Sequence, residues 1–392
     1  MEAERPKPSG QESLMRRFLP LLLLAACSAS GGSNAAAAQQ ASSGDRPFAV
    51  RPITTFDEPW AMAFLPGPGT RALVTEKKGR LKLLWNEIGR VGDVAGAPKV
   101  DYGGQGGFGD VVLHPDFARN RLVYLSWVEG GQGGNRGAVV GRARFREGDG
   151  KGVRLEGLQV IWRQSPKLSG RGHYGHRIAF GPDGKLYVSN GDRQEFTPAQ
   201  DMGGTLGKIV RLNDDGTVPR DNPFASRGGV AAQIWSLGHR NPLGIAFDAR
   251  GRLWDVEMGP KGGDELNLVL RGRNYGYPIV SNGDHYDGKD IPDHPTRPEF
   301  EAPKVWWTPV ISPGNMIFYS GNAFPQWKGD ALIAGLSSKA LIRVDIDGDR
   351  AREAERWDMG QRIRDVEQRP DGSVWLLEDG PRGRLLKLSP RR

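Results

Sequence analysis

One local pattern returns six times along this chain: a short apolar strand, a turn, and a second strand. Residues 61–65 lead through Pro66-Gly67 to 71–75, and residues 110–113 lead through His114-Pro115-Asp116 to 122–127. Residues 177–180 and 186–189 flank Pro182-Asp183-Gly184, and 244–247 and 253–256 flank Arg250-Gly251. Residues 316–319 reach 331–334 by a longer turn, and 365–368 reach 374–377 through Pro370-Asp371-Gly372. The copies recur at intervals of about 50 to 70 residues, and further strand-like runs lie between them at 80–85, 138–145 and 340–346. Repeats of this size built from short strands predict an all-β, six-bladed β-propeller of four-stranded blades, with each hairpin the inner part of a blade. Helical periodicity is absent over any long stretch. The competing all-β arrangement, a pair of sandwiches, needs a second domain that the spacing does not require. The 56 glycines of the 392 residues fall in turns between the apolar runs, as many tight loops demand.

The propeller is expected over 47–392. Ahead of it, residues 15–28 read MRRFLPLLLLAACS. Arg16 and Arg17 precede an apolar run too short to span a bilayer, and Leu24-Ala25-Ala26-Cys27 has the form of a bacterial lipobox. Residues 1–27 therefore read as a signal peptide with Cys27 as the lipidated residue, and 28–46, small and polar, as a flexible tether. That address predicts a periplasmic protein anchored by lipid to the outer membrane, touching the membrane only through the anchor. An ordinary secretory signal cut in the alanine-rich tract is the competing reading. Cys27 is the single cysteine, which excludes an intrachain disulfide and a cysteine zinc site. The net charge of +8 comes from arginines scattered through loops, with no nucleic-acid-binding signature, so nucleic acid is not an expected partner.

In a propeller the loops of all blades converge on one face, so the residues beside each hairpin belong together. The third copy has His173 and His176 before its first strand and Asp192 just after its second. A hairpin brings its outer ends together, which makes His173 and Asp192 neighbours, and a histidine beside a carboxylate is a general base held in one tautomer. Gln105 lies in YGGQGGFGD before the second copy, where glycines let a ligand approach the backbone. Arg240-Asn241 precedes Pro242 and can present a guanidinium and an amide to an anionic or carbonyl-bearing ligand. Gly259-Pro260 ends the fourth copy and is followed by Asp264-Glu265, a set of hard oxygens suited to Ca²⁺. Arg362 and Arg364 enter the last copy on one face of a strand and need an anion or carboxylates to meet them. Each group also has a plain structural reading, as turn or salt bridge.

The same residues carry a resemblance. The segments PWAMAF (59–64), GQGGFGDVVLHPDF (104–117), HRIAFGPDGKLYVSNGD (176–192), LGKIVRLNDDGTVPRDNPF (206–224), IWSLGHRNPLGIAF (234–247), MGPKGGDELNLV (258–269), NYGYP (274–278) and RIRDVEQRPDGSVWLLED (362–379) together resemble the soluble PQQ-dependent aldose sugar dehydrogenases of the glucose/sorbosone dehydrogenase family. The resemblance covers about residues 50–390 and implies a six-bladed propeller that holds pyrroloquinoline quinone (PQQ) with Ca²⁺ and oxidises the C1 hydroxyl of an aldose to the lactone. It implies His173 as the base, Asp192 as its orienting partner, Arg240 and Asn241 at the quinone end of the cofactor, and Gln105, Arg362 and Arg364 at its polar and carboxylate groups. It implies calcium on the carbonyls of Gly259 and Pro260 and a second, structural calcium near Glu265 and Tyr275. Two positions depart from the pattern. A cofactor-binding lysine of the family aligns with Ser337, with Lys339 two residues on, and His176 stands where some relatives have a small residue, which leaves it as an alternative base. A calcium-dependent lactonase and a non-catalytic, lipid-anchored binding propeller are the competing functions. The sugar, the electron acceptor and the oligomeric state are not encoded in any readable motif, including the loops 284–295 and 306–313.

Overall fold

Each of the six repeated hairpins is the inner half of a blade. The computed structural model describes residues 46–391; the leader, Cys27 and the tether up to residue 45 lie outside the described residues. The described residues form six antiparallel sheets of four strands, with one short α-helix at Phe117–Asn120. The innermost strands are Pro59–Phe64, Phe108–Leu113, Gly175–Phe180, Pro242–Phe247, Pro313–Phe318 and Ile363–Gln368, one for each of blades one to six. They pack against one another around a common axis. Their burial is alike: the first part of each strand is enclosed, and its last two residues are half-buried at the opposite mouth of the ring. The all-β six-bladed expectation therefore holds, and all six inner pairs fall where the sequence places them.

The ring is closed by the first and last strands of the described residues. The outermost strand of blade six is Phe48–Phe56, which pairs antiparallel with Gly383–Pro390. Phe48 is fully buried and packs edge-on against Trp327 and Trp357 of blade five. This closure is distant in sequence and carries no local signal. Between blades the core consists of Leu, Val, Ile and Trp from facing sheets, as in the cluster of Trp60, Leu83, Phe108, Leu125 and Trp127. Such dry, tightly packed seams carry most of the stabilisation by burial.

One side chain ties the axis together. Arg177 of blade three donates to the carbonyl oxygens of Leu243 in blade four (2.7 Å) and Gly314 in blade five (2.8 Å) and to Asp110 in blade two (3.2 Å). Its guanidinium also lies 3.5 Å from Asp365 in blade six and 3.9 Å from the ring centre of Trp60 in blade one. A buried charge is tolerated only when paired and hydrogen-bonded, and here each of the other five blades supplies a partner. Asp110 and Asp365 extend the tie by accepting the backbone N–H groups of Ile178 and Met62 in the blades that follow.

Candidate active site

The inner strands share a defect at one end. In every inner pair the register slips just after the strand begins, between Pro59 and Ala61, Phe108 and Val111, Gly175 and Ile178, Pro242 and Gly244, Pro313 and Asn315, and Ile363 and Asp365. A bulge of this kind turns a side chain out of the sheet's alternation and is common beside active sites. The residues it releases here are Trp60, Gly109, His176, Leu243, Gly314 and Arg364. The four with side chains, Trp60, His176, Leu243 and Arg364, all line one cleft of about 300 Å³. The two glycines leave room: a Cβ on Gly109 would fall 2.0 Å from the His176 ring, and one on Gly314 would fall 2.4 Å from the Arg364 carbonyl oxygen. Among the described residues ten non-glycine residues have positive φ, and two of them, Glu58 and His176, line this cleft. Glu58, His176 and the neighbouring His173 thus hold a costly backbone conformation at the cleft, as functional sites often do.

The cleft is cationic with a flat wall. Arg362 and Arg364 reach the same carboxylate, Asp379, at 2.8 Å and 2.9 Å. Lys77 is the third cation of the lining. Burial, then the nearby Arg364, push its amine below the usual lysine range. Three cations against Asp379 and Glu58 leave a positive excess that suits an anionic ligand. The flat wall is the ring of His176 stacked on Trp60, with centroids 5.0 Å apart and planes 17° from parallel. Lys339, two residues beyond the Ser337 that aligns with the family's cofactor lysine, is exposed and is not part of the lining, whereas Lys77 is.

Beside the cleft, His173 Nδ1 lies 2.6 Å from Oδ1 of Asp192, and both side chains are buried. The pair arises as the hairpin predicts, since Gly175 faces Asn190 in the register. Oδ1 of Asp192 also accepts the Gln194 N–H, and Oδ2 accepts that of Phe196, so the carboxylate is fixed on both oxygens. With Nδ1–H turned to Asp192, Nε2 is the nitrogen left for chemistry. Burial holds the His173 imidazole below its usual value; Asp192 opposes this, and Arg240 adds to it. His176 has no carboxylate partner, its Nδ1 meeting Ser126 Oγ at 2.8 Å instead. Gln105 and Asn241 hold the base from either side. The Gln105 side-chain oxygen accepts the His173 N–H at 2.7 Å, and that of Asn241 accepts the Gly175 N–H at 3.2 Å. Arg193 clamps the same turn by donating to the carbonyl oxygens of Gly172, Arg136 and Gly170.

The remaining expected residues meet at a second, smaller cavity of about 10 Å³, which shares Met258 with the cleft. It is lined by Arg240, Glu257, Gly259, Pro260, Glu265 and Tyr275 among others. Gly259, Pro260, Glu265 and Tyr275, which the resemblance divides between two calcium sites, therefore border a single void, one with room for a water-sized body. An oxygen-rich lining of this kind fits a hard cation. The Gly259 carbonyl is engaged by Arg240 at 2.6 Å, and the Met258 carbonyl at 3.0 Å, so a cation on Gly259 would compete with the guanidinium. Tyr275 turns its hydroxyl away, to the Leu268 carbonyl and the Leu270 N–H.

The model of the glucose/sorbosone dehydrogenase family matches residues 56–387. The chain belongs to that family. It is 40% identical over 342 residues to the aldose sugar dehydrogenase YliI of Escherichia coli K12, a match that covers 86% of this chain and 91% of that protein. A crystal structure of a glucose dehydrogenase aligns with a TM-score of 0.83 at 41% identity, covering 88% of this chain and all of the other. The PQQ-bound form of an aldose sugar dehydrogenase from Streptomyces coelicolor aligns with a TM-score of 0.71 at 27% identity, covering 88% and 98%.

Several residues of this family member's site escape sequence reading. Glu257 accepts the N–H groups of both Arg240 (2.6 Å) and Asn241 (3.1 Å), which fixes the turn that carries them. Behind it, His239 bridges Asp255 (3.0 Å) and Glu257 (3.1 Å), and the two carboxylates raise its imidazole to about 10 despite full burial. Lys77, Trp60 and Ser126 also give no local sign of function. The clue is positional: Trp60 stands near the start of its hairpin strand, Lys77 directly after the end of its own, and Ser126 opposite the bulge at Asp110.

Proposed function

We propose that this chain is a PQQ- and Ca²⁺-dependent aldose dehydrogenase that oxidises the C1 hydroxyl of a sugar to the lactone. The observation that carries the reading is the buried His173–Asp192 pair beside a cleft that combines three cations with a flat wall. PQQ is planar and bears three carboxylates, so Lys77, Arg362 and Arg364 match its charge and the Trp60–His176 stack matches its shape. Family membership, and the likeness to an aldose sugar dehydrogenase and to a PQQ-bound relative, support the same reading.

In this proposal Gln105, Lys77, Arg362 and Arg364 hold the cofactor's polar edge, and Arg240 and Asn241 meet its quinone end. When bound, the cofactor supplies the two-electron acceptor for the hydride that leaves C1. His173 Nε2 takes the hydroxyl proton of the sugar as the C1–O bond becomes a carbonyl. Asp192 keeps Nδ1 protonated and stabilises the imidazolium that forms, an arrangement that is typically worth about 10²–10⁴-fold. Calcium would be held by the carbonyls of Gly259 and Pro260, with Glu265 and Tyr275 at the same void. Among the described residues no helix is long and apolar enough to cross a membrane. Cys27 is proposed as the lipid anchor that places the enzyme in the periplasm, and fatty-acid labelling that persists in Cys27→Ser would overturn it.

The test is dye reduction by the purified protein with aldoses, with PQQ and Ca²⁺ added singly and together. Activity that needs PQQ supports the reading. Lactone hydrolysis with Ca²⁺ alone, and no dye reduction, would identify a lactonase instead.

A further inference from the structure

The hydroxyls beside the bulges define the proton on His176. In blade one, Thr75 Oγ1 accepts the Ala61 N–H at 3.1 Å and donates to the Gly109 carbonyl of the next blade at 2.6 Å. In blade three, Ser189 Oγ accepts the Arg177 N–H at 3.1 Å and donates to the Pro242 carbonyl of the next blade at 3.0 Å. Ser126 is their counterpart in blade two. Its Oγ accepts the Asp110 N–H at 2.8 Å, but the group it meets in the next blade is His176 Nδ1, also at 2.8 Å. Ser126 Oγ has no other acceptor among the described residues for its own proton, which directs that proton to His176 Nδ1. Nδ1 is then the acceptor, and the imidazole proton sits on Nε2. Nε2 makes no hydrogen bond with the described residues, and it is not among the buried polar atoms sealed from solvent. The ring stands in the cleft wall, stacked on Trp60.

We infer that His176 is a ligand-binding residue of the cleft, offering a fixed, uncharged Nε2–H donor to an oxygen of a planar anionic ligand. The inference rests on the proposed quinone function, and PQQ is the ligand meant. Three features build this donor into the fold. The bulge aims the side chain into the cleft, Gly109 is the residue type that admits the ring, and Ser126 sets the tautomer. Burial, then Arg177, Arg193 and Arg364, hold the imidazole down at about 3, so the donor stays neutral across the working pH range. A neutral N–H can donate to an oxygen of either charge state without adding a cation to a wall that already has three. A small residue at this position would leave that oxygen to water.

The experiment has two readouts. Selective ¹⁵N labelling of the six histidines, with His176 assigned through His176→Phe, reports which ring nitrogen is protonated. The expected state is Nε2–H at neutral pH, relaxing to mixed tautomers in Ser126→Ala. PQQ titration, followed by tryptophan fluorescence, then compares wild type with His176→Phe, which keeps the flat ring, and His176→Gln, which restores an N–H near the Nε2 position. The Phe variant should bind PQQ about 10- to 100-fold more weakly, the loss of one hydrogen bond to a charged acceptor, and the Gln variant should recover much of that. Wild-type affinity in His176→Phe, or a proton on Nδ1 in wild type, overturns the inference while the quinone function stands. If wild type takes up no PQQ, the proposed function fails first, and the ligand named here fails with it.

Discussion

His173 and Asp192, 19 positions apart in sequence, meet through a 2.6 Å hydrogen bond in which both side chains are buried. Because burial and Arg240 depress the His173 imidazole below 6.5, the free base is already present at mildly acid pH. Turnover should therefore rise with pH on a limb centred below 6.5 and be flat above it. Asp192→Asn removes the group that raises this value, so the limb should move to lower pH while the rate falls. His173→Ala should lose about 10²–10⁴-fold in kcat and still bind PQQ. Turnover unchanged in His173→Ala would falsify the base assignment. A pH–rate profile of the variants beside a PQQ titration provides both checks.

The cationic wall makes a separate prediction about affinity. Lys77→Met removes one of three cations without disturbing the Arg362–Asp379–Arg364 group. PQQ should bind about 10-fold more weakly to that variant. Wild-type affinity should fall as salt is raised, since opposing charges at a solvent-reached cleft are screened. Titrations at low and high ionic strength test this, and a salt-independent affinity equal in both proteins would show that Lys77 faces no ligand charge.

Arg177 is expected to govern stability more than chemistry. Arg177→Met leaves Asp110 and Asp365 buried without their cation, a change that costs on the order of 3–5 kcal/mol. Burial already raises both carboxyls above the usual range. Without the guanidinium they should rise further, so the variant should be penalised less at acid pH, where they are protonated, and more as pH rises. Denaturant melts between pH 5 and pH 8 would reveal the trend.

His239 gives stability of the opposite pH sense. Its folded value of about 10 lies above the usual 6.5, so its contribution is complete below about 6.5 and is lost as pH rises through 10. His239→Gln should lower the melting temperature, and the gap from wild type should close toward pH 10. A gap that does not vary with pH would show that His239 is not charged in the fold.

The pattern of what the sequence revealed follows from how local each feature is. The six hairpins were legible because a Pro-Asp-Gly or similar turn and two short apolar runs are a local code. The His173–Asp192 pair was legible for the same reason, since one hairpin joins its ends. The closing of blade six by Phe48–Phe56 was not, because its partner strand lies at the far end of the chain. The bulges that aim Trp60, His176 and Arg364 into the cleft arise from register and leave no composition signal. Arg177 reads as an ordinary strand residue, and only the ring reveals that the other five blades converge on it. Lys77, and Glu257 behind Arg240, act from blades whose mutual approach no motif encodes. The carbonyls of Gly259 and Pro260 were picked out by residue type, but the hold of Arg240 on Gly259 depends on a side-chain rotamer that sequence does not contain.

The most direct test of the central claim is a PQQ titration of the wild-type protein with Ca²⁺, followed in the same sample by aldose-dependent dye reduction. The quinoprotein account predicts saturable PQQ binding and dye reduction that appears only after PQQ is added, with binding kept and reduction lost in His173→Ala. No PQQ binding, or dye reduction that proceeds equally without PQQ, would contradict it.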